Sequence, residues 1–149
     1  MIEYKELVGE IKAVYKTKDM KKIKIQSSCD AYQYFNKIFD EDTLELKEEM
    51  IVLFMNRNHN TLGWAKISYG GVAGTFADPK IVFQLALLAN ASSIILAHNH
   101  PSGNLKPSQA DIALTRKMKA AGEVLEISML DHLILTKETY RSMADELDY

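Results

Sequence analysis

The apolar run Ser93-Ile94-Ile95-Leu96-Ala97 leads without a break into His98-Asn99-His100-Pro101-Ser102-Gly103. A short run of this composition reads as a strand buried on both faces, the kind found inside an α/β sheet. The polar, Pro- and Gly-bearing segment behind it is then the loop at that strand's C-terminal end, where open α/β sheets place their ligands. On an extended backbone residues i and i+2 project to one side, so His98 and His100 converge on one point. Asp111 follows eleven positions after His100, near enough for a turn and the start of a helix to return its carboxylate. Two imidazole nitrogens with one carboxylate oxygen suit zinc and leave a fourth position for water.

Plainer roles compete for the same residues. Ser108-Gln109-Ala110-Asp111 fits a capping box, with Ser108 as N-cap and Asp111 three residues on. The two roles are compatible, because a cap fixes the first helical turn on which Asp111 rides. A lone His-x-His at a strand end is most simply hydrogen-bonded polar filler. The strand-end loop and the returning carboxylate together favour ligands.

Around this centre the chain alternates between strand and helix. Leu7–Tyr15 reads as a strand, and lysines crowd the segment around it (Lys12, Lys16, Lys18, Lys21, Lys22, Lys24), so residues 1–26 form an N-terminal strand and lysine-rich stretch. That strip is more simply a solvated face than a contact for an acidic partner or nucleic acid. Ser27 and Ser28 are candidate caps for a helix to about Phe39, with Ala31, Tyr34, Phe35 and Ile38 on one side. Met50–Met55 is a central strand, residues 56–60 a turn, and Leu62–Tyr69 an antiparallel hairpin partner that Gly70-Gly71 ends. Pro79 opens a helix carrying Ile81, Val82, Leu85, Leu88 and Ala89. After Ser93–Ala97 and a His98–Pro107 loop, a helix from Gln109 to Ala121 stops at Gly122. Val124–Leu130 and His132–Leu135 read as short strands, and Lys137–Leu147 as a final helix. This order predicts an α/β architecture with a mixed sheet flanked by helices.

At 149 residues the chain is read as one domain, 1–149. Its formal charge of -2 creates no field that draws in nucleic acid, leaving that partner open but unsupported. The single Cys29 forms no intrachain disulfide, and at a helix start it is most simply a small first-turn residue. The N-terminus lacks the basic-then-apolar order of a signal peptide, and no apolar run approaches a membrane span. A cytoplasmic protein without membrane contact is expected.

His98-x-His100-x7-Ser108-x2-Asp111 resembles, position for position, the core of the JAMM motif of MPN/JAB-domain metalloproteases. The stretch from Ala97 to Gly103, together with Asp131-His132-Leu133-Ile134, resembles the RadC family of that superfamily, in its short stand-alone form. The likeness runs from about Ser27 to the C-terminus. It implies a JAB/MPN fold, related to that of cytidine deaminases, and a Zn2+ ion on His98, His100 and Asp111. Longer RadC proteins carry an N-terminal helix-hairpin-helix module, for which the region before Ser27 is too short. Where they have a His-Pro-Arg-Glu segment, this chain has Asp78-Pro79-Lys80-Ile81.

Hydrolysis at such a centre needs a base to take a proton from water and pass it to the leaving nitrogen. In JAMM enzymes this is a glutamate upstream of the histidines, and Glu48 and Glu49 both open the Met50–Met55 strand. They point to opposite faces, so only one reaches the metal. The register of RadC-like sequences implies Glu48. The same resemblance gives Ser108 a hydrogen bond to the oxyanion or the water. Asn99, Ser102 and Asn104 are candidates for substrate contact. His132 is either a hydrogen-bonded partner behind a ligand or a buried structural histidine. His59 is read as exposed in its turn.

The expected function is a zinc-dependent hydrolase acting on an amide or isopeptide bond of a peptide or protein. The alternative is a non-catalytic DNA-repair or mobile-element accessory protein that binds metal and a partner; repair enters through the family name alone. Three adjacent residues His-Asn-His do not make the dispersed motif of HNH nucleases. A single cysteine excludes the Pro-Cys-x-x-Cys element of a nucleobase deaminase. Oligomeric state stays open.

Overall fold

The computed structural model describes residues 21–69 and 77–149. The expected strand Leu7–Tyr15, the first three lysines of the basic strip and Gly70-Gly71 lie outside them.

The elements run α1 (Ser28–Phe35), β1 (Glu49–Met55), β2 (Thr61–Tyr69), α2 (Pro79–Leu88), β3 (Ser93–Asn99), α3 (Gln109–Leu125), β4 (Ser128–Leu135) and β5 (Tyr140–Ser142). They form one mixed sheet in the order β2-β1-β3-β4-β5, in which β3 and β4 are parallel and every other pair is antiparallel. This is the α/β arrangement with flanking helices that the alternating pattern predicts. Helix α3 makes the crossover that a parallel pair requires.

Both faces of the sheet are covered, and the pleat sorts the side chains between them. Ile51, Leu53 and Met55 of β1 join Ile95, Ala97, Leu133 and Leu135 against Ala31 and Phe35 of α1. Met50, Val52 and Phe54 join Ile94 and Leu96 against Val82, Phe83 and Ala86 of α2 and Met118 of α3. Every residue of β1 and β3 is buried, as their unbroken apolar runs require. By the same alternation, odd-numbered β3 residues face α1 and even-numbered ones face α2 and α3.

Several boundaries differ from expectation. Helix α1 ends at Phe35 and only Ser27 caps it, through Asp30 N; Ser28 is its first helical residue. Phe39 is still buried, reached through a turn. On α2 the buried face is Val82, Phe83 and Ala86, rotated from the expected stripe, so Ile81 and Leu88 are exposed. β3 runs on through His98 and Asn99, because Met50 of β1 and Ile134 of β4 pair with His98.

Gly122 does not stop α3. The helix passes through it to Leu125, and Glu126 closes it in the left-handed conformation (φ 56°). Of the expected strand Val124–Leu130, Val124 and Leu125 belong to α3, and the rest from Ser128 merges with His132–Leu135 into one strand, β4, with a register shift between Ile94 and Ile95 that leaves Leu130 unpaired. The expected final helix Lys137–Leu147 is replaced by turns and β5, which completes the sheet edge beside β4. Buried Asp131 fastens this segment by accepting from Ser142 Oγ (2.6 Å) and Ala144 N (3.0 Å). Among the described residues no helix is long and apolar enough to cross a membrane.

Candidate metal centre

His98 is the last-but-one residue of β3 and is fully buried on the α3 face. His100 follows the strand, held by its own N–H to Leu135 O (2.9 Å). The chain then turns at Pro101-Ser102-Gly103; Gly103 has φ 79°, a conformation that glycine adopts without strain. That turn brings Asn104 O to His100 Nδ1 at 2.5 Å. Ser108 caps α3 and forms a complete capping box with Asp111, so the first helical turn carries Asp111 back toward the histidines.

The structure thus gathers the residues singled out from spacing. His98 Nε2 and His100 Nε2 lie 2.9 Å apart. Asp111 Oδ1 is 3.3 Å from the first and Oδ2 is 3.6 Å from the second. Glu48 joins them, and one ligand atom from each of the four side chains lies within 4.8 Å of all the others. Because a carbonyl only accepts, His100 Nδ1 carries the proton toward Asn104 O, leaving Nε2 with a lone pair in the neutral ring. Imidazole nitrogens this close to each other and to a carboxylate either share a proton or face a common cation. This donor set, two neutral nitrogens with hard carboxylate oxygens, fits a divalent metal ion.

Electrostatics point the same way. Burial pushes the Asp111 carboxyl up, but the facing His100 and His98 rings, which stabilise its charged form whenever they carry a proton there, override burial and hold it far below the usual carboxylate range. The Asp111 carboxylate likewise favours a positive charge at His100 and raises it above its ordinary value, against burial, so a metal ion at Nε2 would take the place of that proton. Ser108 reinforces the carboxylate by donating to Asp111 Oδ2 from both N and Oγ at 2.7 Å.

The alternation of β1 separates the two glutamates. Glu48 lies half-buried beside the two histidines and Asp111. Glu49, on the opposite face, is almost fully buried and ion-paired with Lys66 (2.9 Å) and Lys47 (3.1 Å). Asn99, a candidate for substrate contact, faces away from the histidines and is 1% exposed. Its amide holds the backbone of Leu44, Lys47 and Glu49 instead. Ser102 and Asn104 make local turn contacts, with Asn104 N on Ser102 Oγ and Lys106 N on Asn104 Oδ1. His59 is exposed in its turn with φ 56°, and Cys29 is exposed on α1.

His132 is fully buried behind His98, its Nε2 2.7 Å from His98 Nδ1 and its Nδ1 2.6 Å from Thr115 Oγ1. Burial, then the neighbouring His98, lowers it well below the ordinary histidine value. Thr115 was not apparent from the sequence, where a threonine inside a helix carries no signal. Its place four residues after Asp111, on the same helical face, is the one clue.

The sequence profile of the RadC-like JAB domain matches residues 25–148, nearly the whole chain. A UPF0758 protein from Flavobacterium johnsoniae is 43% identical over 93% of this chain and 65% of its own length. The UPF0758 protein tlr1707 from Thermosynechococcus vestitus is 46% identical over 66% of this chain and 39% of its own. A UPF0758 protein from Chlorobaculum parvum is 37% identical over 82% of this chain and 54% of its own. The chain therefore spans between about two-fifths and two-thirds of these curated relatives. Its Glu, His, His and Asp group fits a metal-dependent hydrolase of the JAMM type. By sequence and by fold, the chain belongs to the RadC-like JAB domain family.

Proposed function

We propose that this domain is a zinc-dependent hydrolase that cleaves an amide or isopeptide bond in a peptide or protein. The convergence of Glu48, His98, His100 and Asp111 within 4.8 Å carries this reading. His98, His100 and Asp111 would hold the ion, and when bound it would supply Lewis acidity toward a carbonyl and toward a water near neutral pH. Glu48, beside this set, accepts the water's proton and returns it to the leaving nitrogen. Ser108 is exposed at the rim, and its hydroxyl, by turning away from Asp111 Oδ2, would donate instead to the oxygen on which negative charge develops, while its backbone N–H stays on the carboxylate. Glu49 is kept from this work by its two lysines on the far face.

Elemental analysis of protein purified without an affinity tag tests the metal, comparing wild type with Asp111→Ala. About one zinc per wild-type chain, lost in the variant, is the expected result. Glu48→Gln is then expected to keep zinc and lose peptide hydrolysis. A wild type that neither contains zinc nor takes it up from stoichiometric solution overturns the proposal.

A further inference from the structure

We propose that Thr115 and His132 are positioning residues, a one-way hydrogen-bond relay that locks His98 in the tautomer able to ligate a metal ion. The inference rests on the metal-centre reading above and adds residues outside the His-x-His, Ser and Asp core of the JAMM motif.

The direction of the relay follows from its far end. Thr115 Oγ1 lies 2.7 Å from the backbone carbonyl oxygen of Asp111. Two oxygens at that distance need a hydrogen between them, and only the threonine has one to give. The hydroxyl proton is therefore engaged, and Thr115 Oγ1 accepts from His132 Nδ1 at 2.6 Å. A buried neutral imidazole has a single N–H, so His132 Nε2 is an acceptor and receives the Nδ1 proton of His98 at 2.7 Å. His98 Nε2 is left with a lone pair, aimed at His100 Nε2 and the Asp111 carboxylate.

The relay joins three elements into a closed circuit. Asp111 contributes its carboxylate to the centre and its backbone carbonyl to the relay, so the first turns of α3 both supply a ligand and orient another on β3. His98, Thr115 and His132 are each 0% exposed, which keeps water from substituting for any link. Partners of this kind fix ring orientation and raise ligand basicity, and their loss typically weakens metal binding by roughly 10–100-fold. A purely space-filling role for Thr115 makes no such demand, because valine has the same shape.

Zinc affinity, measured by competition with a chromophoric chelator, separates the two roles in Thr115→Val and Thr115→Ser. The relay predicts binding weakened about 10–100-fold in Thr115→Val and restored to within about threefold of wild type in Thr115→Ser. Weaker binding in Thr115→Ser than in Thr115→Val assigns the residue to packing and overturns the relay. So does wild-type affinity in Thr115→Val when His98→Ala has lost zinc, and that result leaves the metal centre standing. A His98→Ala variant that binds as well as wild type removes the metal reading and the relay with it.

Discussion

The backbone N–H of Glu49 donates to Asn99 Oδ1 at 2.7 Å, while Asn99 Nδ2 donates to Lys47 O at 2.8 Å and to Leu44 O at 2.7 Å. One side chain thereby grips the main chain on either side of Glu48. Asn99 itself stands between His98 and His100 and projects to the opposite face of β3. The strand that carries His98 and leads into His100 thus also sets the position of the candidate base. Asn99→Ala leaves one N–H and two carbonyls without this partner in a buried place. At about 1–3 kcal/mol for an orphaned group, with some rehydration, a loss of roughly 2–4 kcal/mol is expected. Urea unfolding measures it, and a change below about 0.5 kcal/mol refutes the clamp. Zinc uptake should persist in the variant, because the histidines lie on the other face.

Glu49 makes a second, pH-dependent contribution. Burial pushes its carboxyl up, but hydrogen bonds from Lys66 and Lys47 outweigh burial and hold it below its ordinary 4.5. A carboxyl depressed on folding stabilises the protein above its unfolded value, and that stability fades as pH falls through the folded value. The window therefore lies below about pH 4.5. Lys66→Met leaves the buried carboxylate with Lys47 alone and should cost about 1–3 kcal/mol at pH 7. Once Glu49 is protonated the penalty should shrink. Urea unfolding of wild type and Lys66→Met at pH 7 and at the lowest pH where both stay folded gives the two differences. An equal or larger penalty in acid contradicts the assignment.

Zinc binding to the folded state alone should raise thermal stability. At a free concentration one hundred times Kd the gain is about 2.7 kcal/mol, or about 5–10 °C in Tm for a domain of this size. Scanning calorimetry with zinc and with excess chelator checks this in wild type. Asp111→Ala should show no shift, and a wild type whose Tm ignores both additions speaks against a site in the folded state.

Much of this site could be read from spacing because strand geometry makes spacing informative. His98 and His100 share a face by the two-residue period, and the same period assigns Glu48 and Glu49 to opposite sides of the sheet. The capping box places Asp111 by local rules alone. What escaped depends on contacts distant in sequence. His98 and Asn99 look like loop residues until Met50 and Ile134 pair with the first and Leu135 with the second. The segment after Lys137 contains Met143, Ala144, Glu146 and Leu147, all good helix formers, yet Tyr140–Ser142 completes an open sheet edge instead. Thr115 was invisible for the same reason, since its hydroxyl matters only because β4 delivers His132 to it.

Gly122 offers the sharpest test of how local rules yield to packing. Within an exposed helix, replacing glycine by alanine stabilises by about 1 kcal/mol. Here the helix continues past Gly122, and its carbonyl accepts from Ile127 N at 2.9 Å as the chain folds back into β4. A Cβ at this position would run into the backbone oxygen of Ile127, with Phe83 of α2 in contact on the other side at 3.4 Å. A backbone atom held by the start of a strand has little room to retreat, so overpacking outweighs propensity. Gly122→Ala is expected to destabilise by about 1–3 kcal/mol, lowering Tm by several degrees. Thermal unfolding followed by circular dichroism reads the sign directly. A variant more stable than wild type would mean that the Ile127 carbonyl moves aside freely and that the glycine is not required by this close approach.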